Sequence, residues 1–433
     1  MKRYLLFLLV FILITRVNYA QRVITEDVYR FWKAYDVISK TPDTLKQLAI
    51  IDSMYILKGT PGLKAIMEVR GYTADSYVYA INHYPKFWKS VRKNTTKGII
   101  YGGKIEKAIF KLKKMYPALK PAEVYFTIGA LRTNGTTLSN MVLIGSELAM
   151  ADTKTNTSEI KNEYSHLPAY FAGNPLKSIV FLNVHEYVHT QQKTTIGNTL
   201  LAQTVIEGVA EFVASRVLNV ESPNPQIKYG KENMDKIKAD YIPEMFSPFV
   251  YNWIWNDADN SFKMRDLGYY VGYAICENYY NVSEDKNKAI AEMIELDYND
   301  EEQLIRFVEK SKYFAVDFHQ VKETFEGSRP VVTSIREFKN GDLNVDNSIT
   351  TVTLEFSQPM NVNARGFDYG PLGEDNVLRI EQVIGFSEDK LSFSYTVKME
   401  PGKRYQVLVT SWFMSETGIP LKPYLIDVTT KEN

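Results

Sequence analysis

The sequence predicts an α+β chain: a mainly helical domain with a small sheet, followed by an all-β sandwich. Three observations lead there. Between about residues 21 and 325, apolar residues recur mostly at helical spacing, as in Val28, Phe31, Trp32, Tyr35 and Ile38. Two short apolar runs, 124–128 and 141–144, interrupt that pattern and read as strands. After Gly327-Ser328-Arg329-Pro330 the period changes to two, with Val352, Leu354 and Phe356 alternating with Thr351, Thr353 and Glu355.

The first twenty residues stand apart from both domains. Lys2 and Arg3 precede an unbroken apolar stretch, 5–14, and Ala20 ends the segment. This is the pattern of a secretory signal peptide over 1–20, too short to span a bilayer. It predicts a secreted or periplasmic protein. Asn18 is larger than the residue usually found three before a cleavage point. No other stretch is long and apolar enough for a transmembrane span. The chain holds 51 Lys+Arg against 51 Asp+Glu, a formal net charge of zero. That balance offers no electrostatic attraction to nucleic acid or to an anionic membrane. The single cysteine, Cys276, excludes an intramolecular disulfide and follows Tyr273-Ala274-Ile275, so it is expected to be a buried small hydrophobe.

The helical domain is expected over 21–326. Thr25-Glu26-Asp27, Thr41-Pro42-Asp43, Thr60-Pro61 and Thr73-Ala74-Asp75 read as helix starts. Residues 105–119 form a basic amphipathic helix with Lys107, Lys111, Lys113 and Lys114 on a solvated face. Between the two strands, Arg132-Thr133-Asn134-Gly135-Thr136-Thr137 is rich in turn formers and reads as a loop.

The chemistry is concentrated in Asn183-Val184-His185-Glu186-Tyr187-Val188-His189, which reads H-E-x-x-H. Asn174-Pro175 marks a helix start, with Asn as N-cap and Pro at the first helical position. On a helix, residues four apart share a face, so His185 and His189 aim two imidazoles at one spot. Imidazole nitrogen suits zinc, and this pattern supplies two of the three protein ligands of a catalytic zinc site. Glu186 flanks that spot as the base for an activated water.

Downstream, Val205-Ile206-Glu207-Gly208-Val209-Ala210-Glu211-Phe212 lies in a second predicted helix, 199–218. Glu207 and Glu211 are one turn apart on the same face, and spacing alone leaves either as the third ligand. The carboxylate that does not bind metal fits an outer role, accepting a hydrogen bond from the far nitrogen of a zinc-bound histidine. Gly208 removes a side chain where two helices approach closely.

H-E-Y-V-H followed by E-G-V-A-E-F resembles the gluzincin metallopeptidases, and within them the bacterial predicted zinc-dependent proteases. The stretches 124–129, 141–147 and 266–273 are similar to the same family, so the resemblance covers roughly residues 120–275. It implies a zincin-like domain in which Glu207, before the glycine, is the third ligand and Glu211 supports a histidine. The family's usual Asn before that Glu is Ile206 here, which argues against an exopeptidase-type substrate site. In zincins a strand bordering the cleft holds extended substrate by main-chain hydrogen bonds; the expected edge is 141–148. A tyrosine is expected to bond the developing oxyanion. Tyr270 and Tyr273 both stand next to Gly268 and Gly272, and Tyr273 is preferred.

The C-terminal region, 330–433, continues the period-two pattern in Leu391, Phe393, Tyr395 and Val397, then in Tyr405, Val407 and Val409. Phe356-Ser357-Gln358-Pro359-Met360 with Glu416-Thr417-Gly418-Ile419-Pro420-Leu421 resembles bacterial immunoglobulin-like domains of secreted proteins. It implies a surface for an envelope or cell-surface partner. The sequence therefore predicts a zinc metallopeptidase acting on a peptide or protein substrate. The competing expectation is a non-catalytic, peptidase-like module serving envelope assembly, adhesion or motility.

Overall fold

A computed structural model describes residues 23–160 and 164–432. The expected signal peptide, 1–20, lies outside the described residues. The chain is mixed α and β, with a helical N-terminal part and antiparallel sheets towards the C-terminus. Its contacts group into two compact units. One draws on the chain up to Lys193, on Val209–Pro223 and on Glu284–Glu295. The other comprises Thr194–Gly208, Asn224–Ser283 and Leu296–Asn433.

The first unit opens with β1 (Val23–Ile24) and the helices α1 (Glu26–Ile38), α2 (Thr44–Ile51), α3 (Pro61–Arg70), α4 (Ala74–His83), α5 (Pro85–Thr95) and α6 (Gly98–Met115). Three of the four predicted starts supply side-chain caps; α1 follows Thr25, whose side chain makes no cap bond. Asp43 accepts from Lys46 N, Thr60 from Leu63 N, and Thr73 forms a capping box with Ser76. Buried Asp27 ties α1 to the start of α3 by accepting from Thr60 N at 3.1 Å and from Arg30 at 2.8 Å. Phe31, Trp32, Tyr35, Tyr55, Tyr77 and Trp88 pack edge-on or tilted into one aromatic core.

Three further strands complete a four-stranded sheet with β1: β2 (Glu123–Thr127), β3 (Gly135–Leu138) and β4 (Met141–Gly145). Their order is β1-β2-β4-β3; β1, β2 and β4 run parallel, and β3 is antiparallel to β4. This corrects two expectations. The stretch 141–148 is not the edge: β4 is bonded on both sides, which suits its apolar Val142, Leu143 and Ile144. The supposed loop 132–137 instead enters the edge strand β3, because Asn134-Gly135 turns the chain back and Thr136 and Thr137 pair with Leu143 and Val142. No strand pairs with the far side of β3 among the described residues.

After β4 come α7 (Ser146–Ala149), α8 (Leu167–Ala172) and α9 (Ile179–His189). Asn174 does not cap α9. It sits at φ 59 before a 3-10 turn, Pro175–Ser178, and the α-helix begins only at Ile179. Proline fixes the turn's φ but the left-handed Asn cannot present its side chain as a cap. The long helix α10 (Leu200–Leu218) follows and is buried along nearly its whole length.

The second unit contains α11 (Pro225–Glu232), α12 (Met234–Tyr241) and α13 (Leu267–Val282). Next in sequence is α14 (Lys286–Glu295), which belongs to the first unit; α15 (Glu301–Ser311) and α16 (Phe318–Ser328) return to the second. A side chain on Gly208 would stand 2.1 Å from the Gly272 carbonyl carbon, so α10 and α13 touch backbone to backbone there. Cys276 on α13 is fully buried, and burial raises its thiol pKa.

The strands after Ser328 are β5 (Val332–Ile335), β6 (Thr351–Phe356), β7 (Phe367–Asp368), β8 (Ile380–Phe386), β9 (Ser392–Val397), β10 (Arg404–Val409) and β11 (Tyr424–Thr429). They form two antiparallel sheets, β5-β6-β9-β8 and β11-β10-β7. The alternating residues Val352, Leu354, Phe356, Phe393, Tyr395, Val407 and Val409 supply one hydrophobic core. No helix of the described residues is long and apolar enough to cross a membrane.

Candidate metal centre

α9 is buried along most of its length: Val184, Tyr187 and Val188 are buried together with His185, Glu186 and His189. Polar clamps fix its C-terminal half against the strand entering the sheet. The Tyr187 hydroxyl donates to Lys120 O and accepts from Ala122 N, both at 2.9 Å. The Gln191 side chain accepts from Lys120 N at 2.7 Å and donates to its carbonyl at 3.2 Å. The two histidines are therefore held on a rigid element.

His185, His189 and Glu207 form a buried cluster whose candidate ligand atoms all lie within 4.8 Å of one another. His185 Nε2 and His189 Nε2 are 3.1 Å apart. Their other nitrogens face acceptors: His185 Nδ1 lies 3.1 Å from Glu211 Oε2, and His189 Nδ1 lies 2.7 Å from Gln192 Oε1. A carboxylate and an amide oxygen only accept, so each Nδ1 carries the proton. In the neutral imidazoles both Nε2 atoms then present lone pairs to the same point, an arrangement that calls for a cation. A tetrahedral ion with bonds of about 2.1 Å separates its ligand atoms by about 3.4 Å, within the range found here. The residues fit zinc.

Glu207 is held by its own helix. Gln203, one turn earlier, donates from Nε2 to Glu207 Oε1 at 3.3 Å. Glu211, fully buried, accepts from Ser222 Oγ on its other oxygen, which leaves Oε2 for His185. The geometry thus brings His185 and His189 to Glu207, and sets Glu211 at the outer nitrogen of His185.

Glu186 packs at the start of β3. A methyl group built on Gly135 would stand 2.7 Å from Glu186 Oε1. The edge strand passes directly beside this carboxylate and only glycine leaves it room.

The two tyrosines separate. Tyr270 is a core residue, its ring filling the space over Gly230. Tyr273 directs its hydroxyl to Glu277 Oε1 at 3.4 Å, with Lys231 Nζ 5.3 Å from the ring centre. Its neighbour Gly272 is the residue pressed against the Thr204–Gly208 turn of α10.

Several residues of the site escaped the sequence reading. Gln192 and Gln203 had a usable signal, three residues after His189 and four before Glu207 on helical spacing. Gly135 and Ser222 had none, since they meet Glu186 and Glu211 only through the fold. Asp266, in the second unit, is half-buried; desolvation raises its carboxyl, the Arg265 guanidinium pulls it back, and the charge of Glu207 adds a smaller rise.

A family model described as "Predicted Zn-dependent protease (DUF2268)" matches residues 169–301, which contain α9, α10 and α13. No curated protein matches the chain. Among solved structures, the chain aligns with the S-layer protein rSbsC(31-844) at 11% identity and a TM-score of 0.18, covering 94% of this chain and 45% of that one. It aligns with the N-terminal part of the bacterial S-layer protein SbsC at 12% identity and the same TM-score, covering 94% and 77%. The chain thus spans less than half of the first of these structures, and neither alignment carries a structural argument.

Proposed function

We propose that the chain is a secreted or periplasmic zinc metallopeptidase. The observation that carries this reading is the convergence of the His185 and His189 Nε2 atoms and the Glu207 carboxylate, with Glu186 one residue beyond His185. The family match over 169–301 supports it.

His185, His189 and Glu207 would hold the ion. Zinc bound there supplies Lewis acidity, which lowers the pKa of a water towards 7 and polarises a carbonyl. Glu186 takes the water's proton and returns it to the leaving amine. Glu211 and Gln192 keep the two rings in the tautomer that offers Nε2 inward. Tyr273 is proposed as the donor to the oxyanion, supported by the backbone contact between α13 and the α10 turn that carries Glu207.

An extended peptide is proposed to add to the free side of β3. The strand's Thr136, Thr137 and Leu138 are half-buried, and its first residue borders Glu186. The C-terminal sheets are proposed to form an immunoglobulin-like module that contacts an envelope or surface partner. The signal-peptide pattern over 1–20 supports export.

The deciding experiment measures zinc content of the purified protein, then cleavage of a mixed peptide library. Stoichiometric zinc with zinc-dependent cleavage is the expected result. Stoichiometric zinc without any cleavage would return the chain to a non-catalytic role.

A further inference from the structure

The loop between β2 and the edge strand β3 is held by a side chain that the proposed reaction does not use. Glu147, in the short helix α7, is completely buried. Its Oε2 accepts from Gly129 N at 2.9 Å and its Oε1 from Leu131 N at 3.2 Å. Leu131 sits at φ 64, a left-handed conformation that a branched side chain adopts only when its surroundings impose it. The rest of the loop is fastened around that point. The Tyr55 hydroxyl donates to Ile128 O at 2.6 Å and accepts from Ile128 N at 3.1 Å. Arg132 donates to the carbonyls of Arg70 and Gly71. Gly145 N donates to Asn134 O at 3.0 Å, and the next residue is Gly135, against Glu186.

We infer that Glu147 is a positioning residue of the site: its carboxylate locks residues 129–134 and thereby sets the start of β3 beside Glu186. This rests on the peptidase reading of Glu186 and of the β3 edge. The lock has a chemical condition. An ionised carboxylate offers acceptors on both oxygens, whereas a protonated one keeps a single good acceptor and introduces an O–H that faces amide donors. The titratable groups around it are the phenols of Tyr55, Tyr72 and Tyr77, and no lysine or arginine bonds it among the described residues. Burial without a cationic partner pushes the Glu147 carboxyl up to about 7, against the pull of its backbone bonds. Protonation therefore costs the loop one of its two bonds to Glu147, even though burial of the uncharged carboxyl favours the fold as a whole.

The test uses the full, zinc-loaded chain. Hydrogen exchange of peptides spanning 128–135, corrected for the intrinsic pH dependence, is followed from pH 8.5 to 5.5 in the wild type and in Glu147→Gln. The wild type is expected to lose protection with a midpoint near 7, and the variant to show low protection at every pH. On a peptide substrate, Glu147→Gln should keep its zinc and lose about tenfold or more in kcat/KM at pH 8, a usual scale for misplaced groups. The acid limb near 7 should disappear from its pH profile. Protection of 128–135 that does not change with pH in the wild type overturns the inference, and that measurement needs no variant to fold. A wild type that cleaves nothing defeats the peptidase reading instead, while the exchange titration still decides the role of Glu147.

Discussion

His185 Nε2 and His189 Nε2 face each other at 3.1 Å while their Nδ1 atoms are occupied by Glu211 and Gln192. Two lone pairs at that separation are held together by the packing of α9 and not by their own attraction. The outer acceptors favour the tautomer that turns both Nε2 lone pairs inward, which is the form the proposed metal site requires.

The proposed roles of Glu186 and Tyr273 lead to one outcome each. Glu186→Gln keeps the volume and removes the proton acceptor. Zinc should stay bound while turnover falls by about two orders of magnitude or more. Tyr273→Phe should also keep zinc and lower kcat with little change in KM, because the hydroxyl would act only on the developing oxyanion. Unchanged turnover in either variant removes that residue from the mechanism.

Glu207 and Glu211 differ in what their loss leaves behind. Glu207→Ala leaves two protein ligands, too few for a stable catalytic zinc site, so the protein should purify without zinc. Glu211→Ala frees His185 Nδ1 and should retain zinc with about 10–100-fold weaker affinity. Metal analysis before and after a chelator challenge distinguishes them. The reverse order would make Glu211 the ligand.

Gly135→Ala tests the contact between the edge strand and the base. The added methyl would stand 2.7 Å from Glu186 Oε1, so either the carboxylate or the strand must move. Zinc content should be unchanged, since the three heavy atoms nearest that methyl position all belong to Glu186 and none to a histidine. kcat/KM should fall by about tenfold or more. Wild-type activity with the alanine in place would show that Glu186 needs no fixed position against β3.

Glu147 also imposes a pH dependence on stability. Its folded carboxyl, near 7, stands above the ordinary value of 4.5. The native state therefore holds a proton that the unfolded state releases. The stabilisation linked to that proton is complete below about 4.5 and is lost as pH rises through about 7. Across that window it amounts to about 3 kcal/mol. Urea unfolding of wild type and Glu147→Gln at pH 4 and pH 8 should show it as a difference in slope. The wild type loses stability relative to the variant as pH rises. Parallel pH curves would place Glu147 in the ordinary carboxylate range.

Local rules made much of this protein legible in its sequence. Helices α2, α3 and α4 begin where Asp43, Thr60 and Thr73 cap them, because capping depends on neighbours within a turn. His185 and His189 lie on one face because helical spacing alone puts them there. Strands β6, β9 and β10 follow an alternation that any half-buried strand must show. What the sequence left open was decided by contacts between segments far apart. Glu207 and Glu211 are equivalent by spacing; the tertiary structure gathers one with the two histidines and sets the other at His185 Nδ1. Residues 132–137 read as a loop because Asn134-Gly135 carries a turn signal, and only pairing with β4 made Gly135–Leu138 the edge strand. The bond between Glu147 and the loop amides joins residues 16 to 18 positions apart through a buried carboxylate, which no pattern of neighbours announces. Periodicity specifies which face of an element is buried; it carries no information about which other element arrives there.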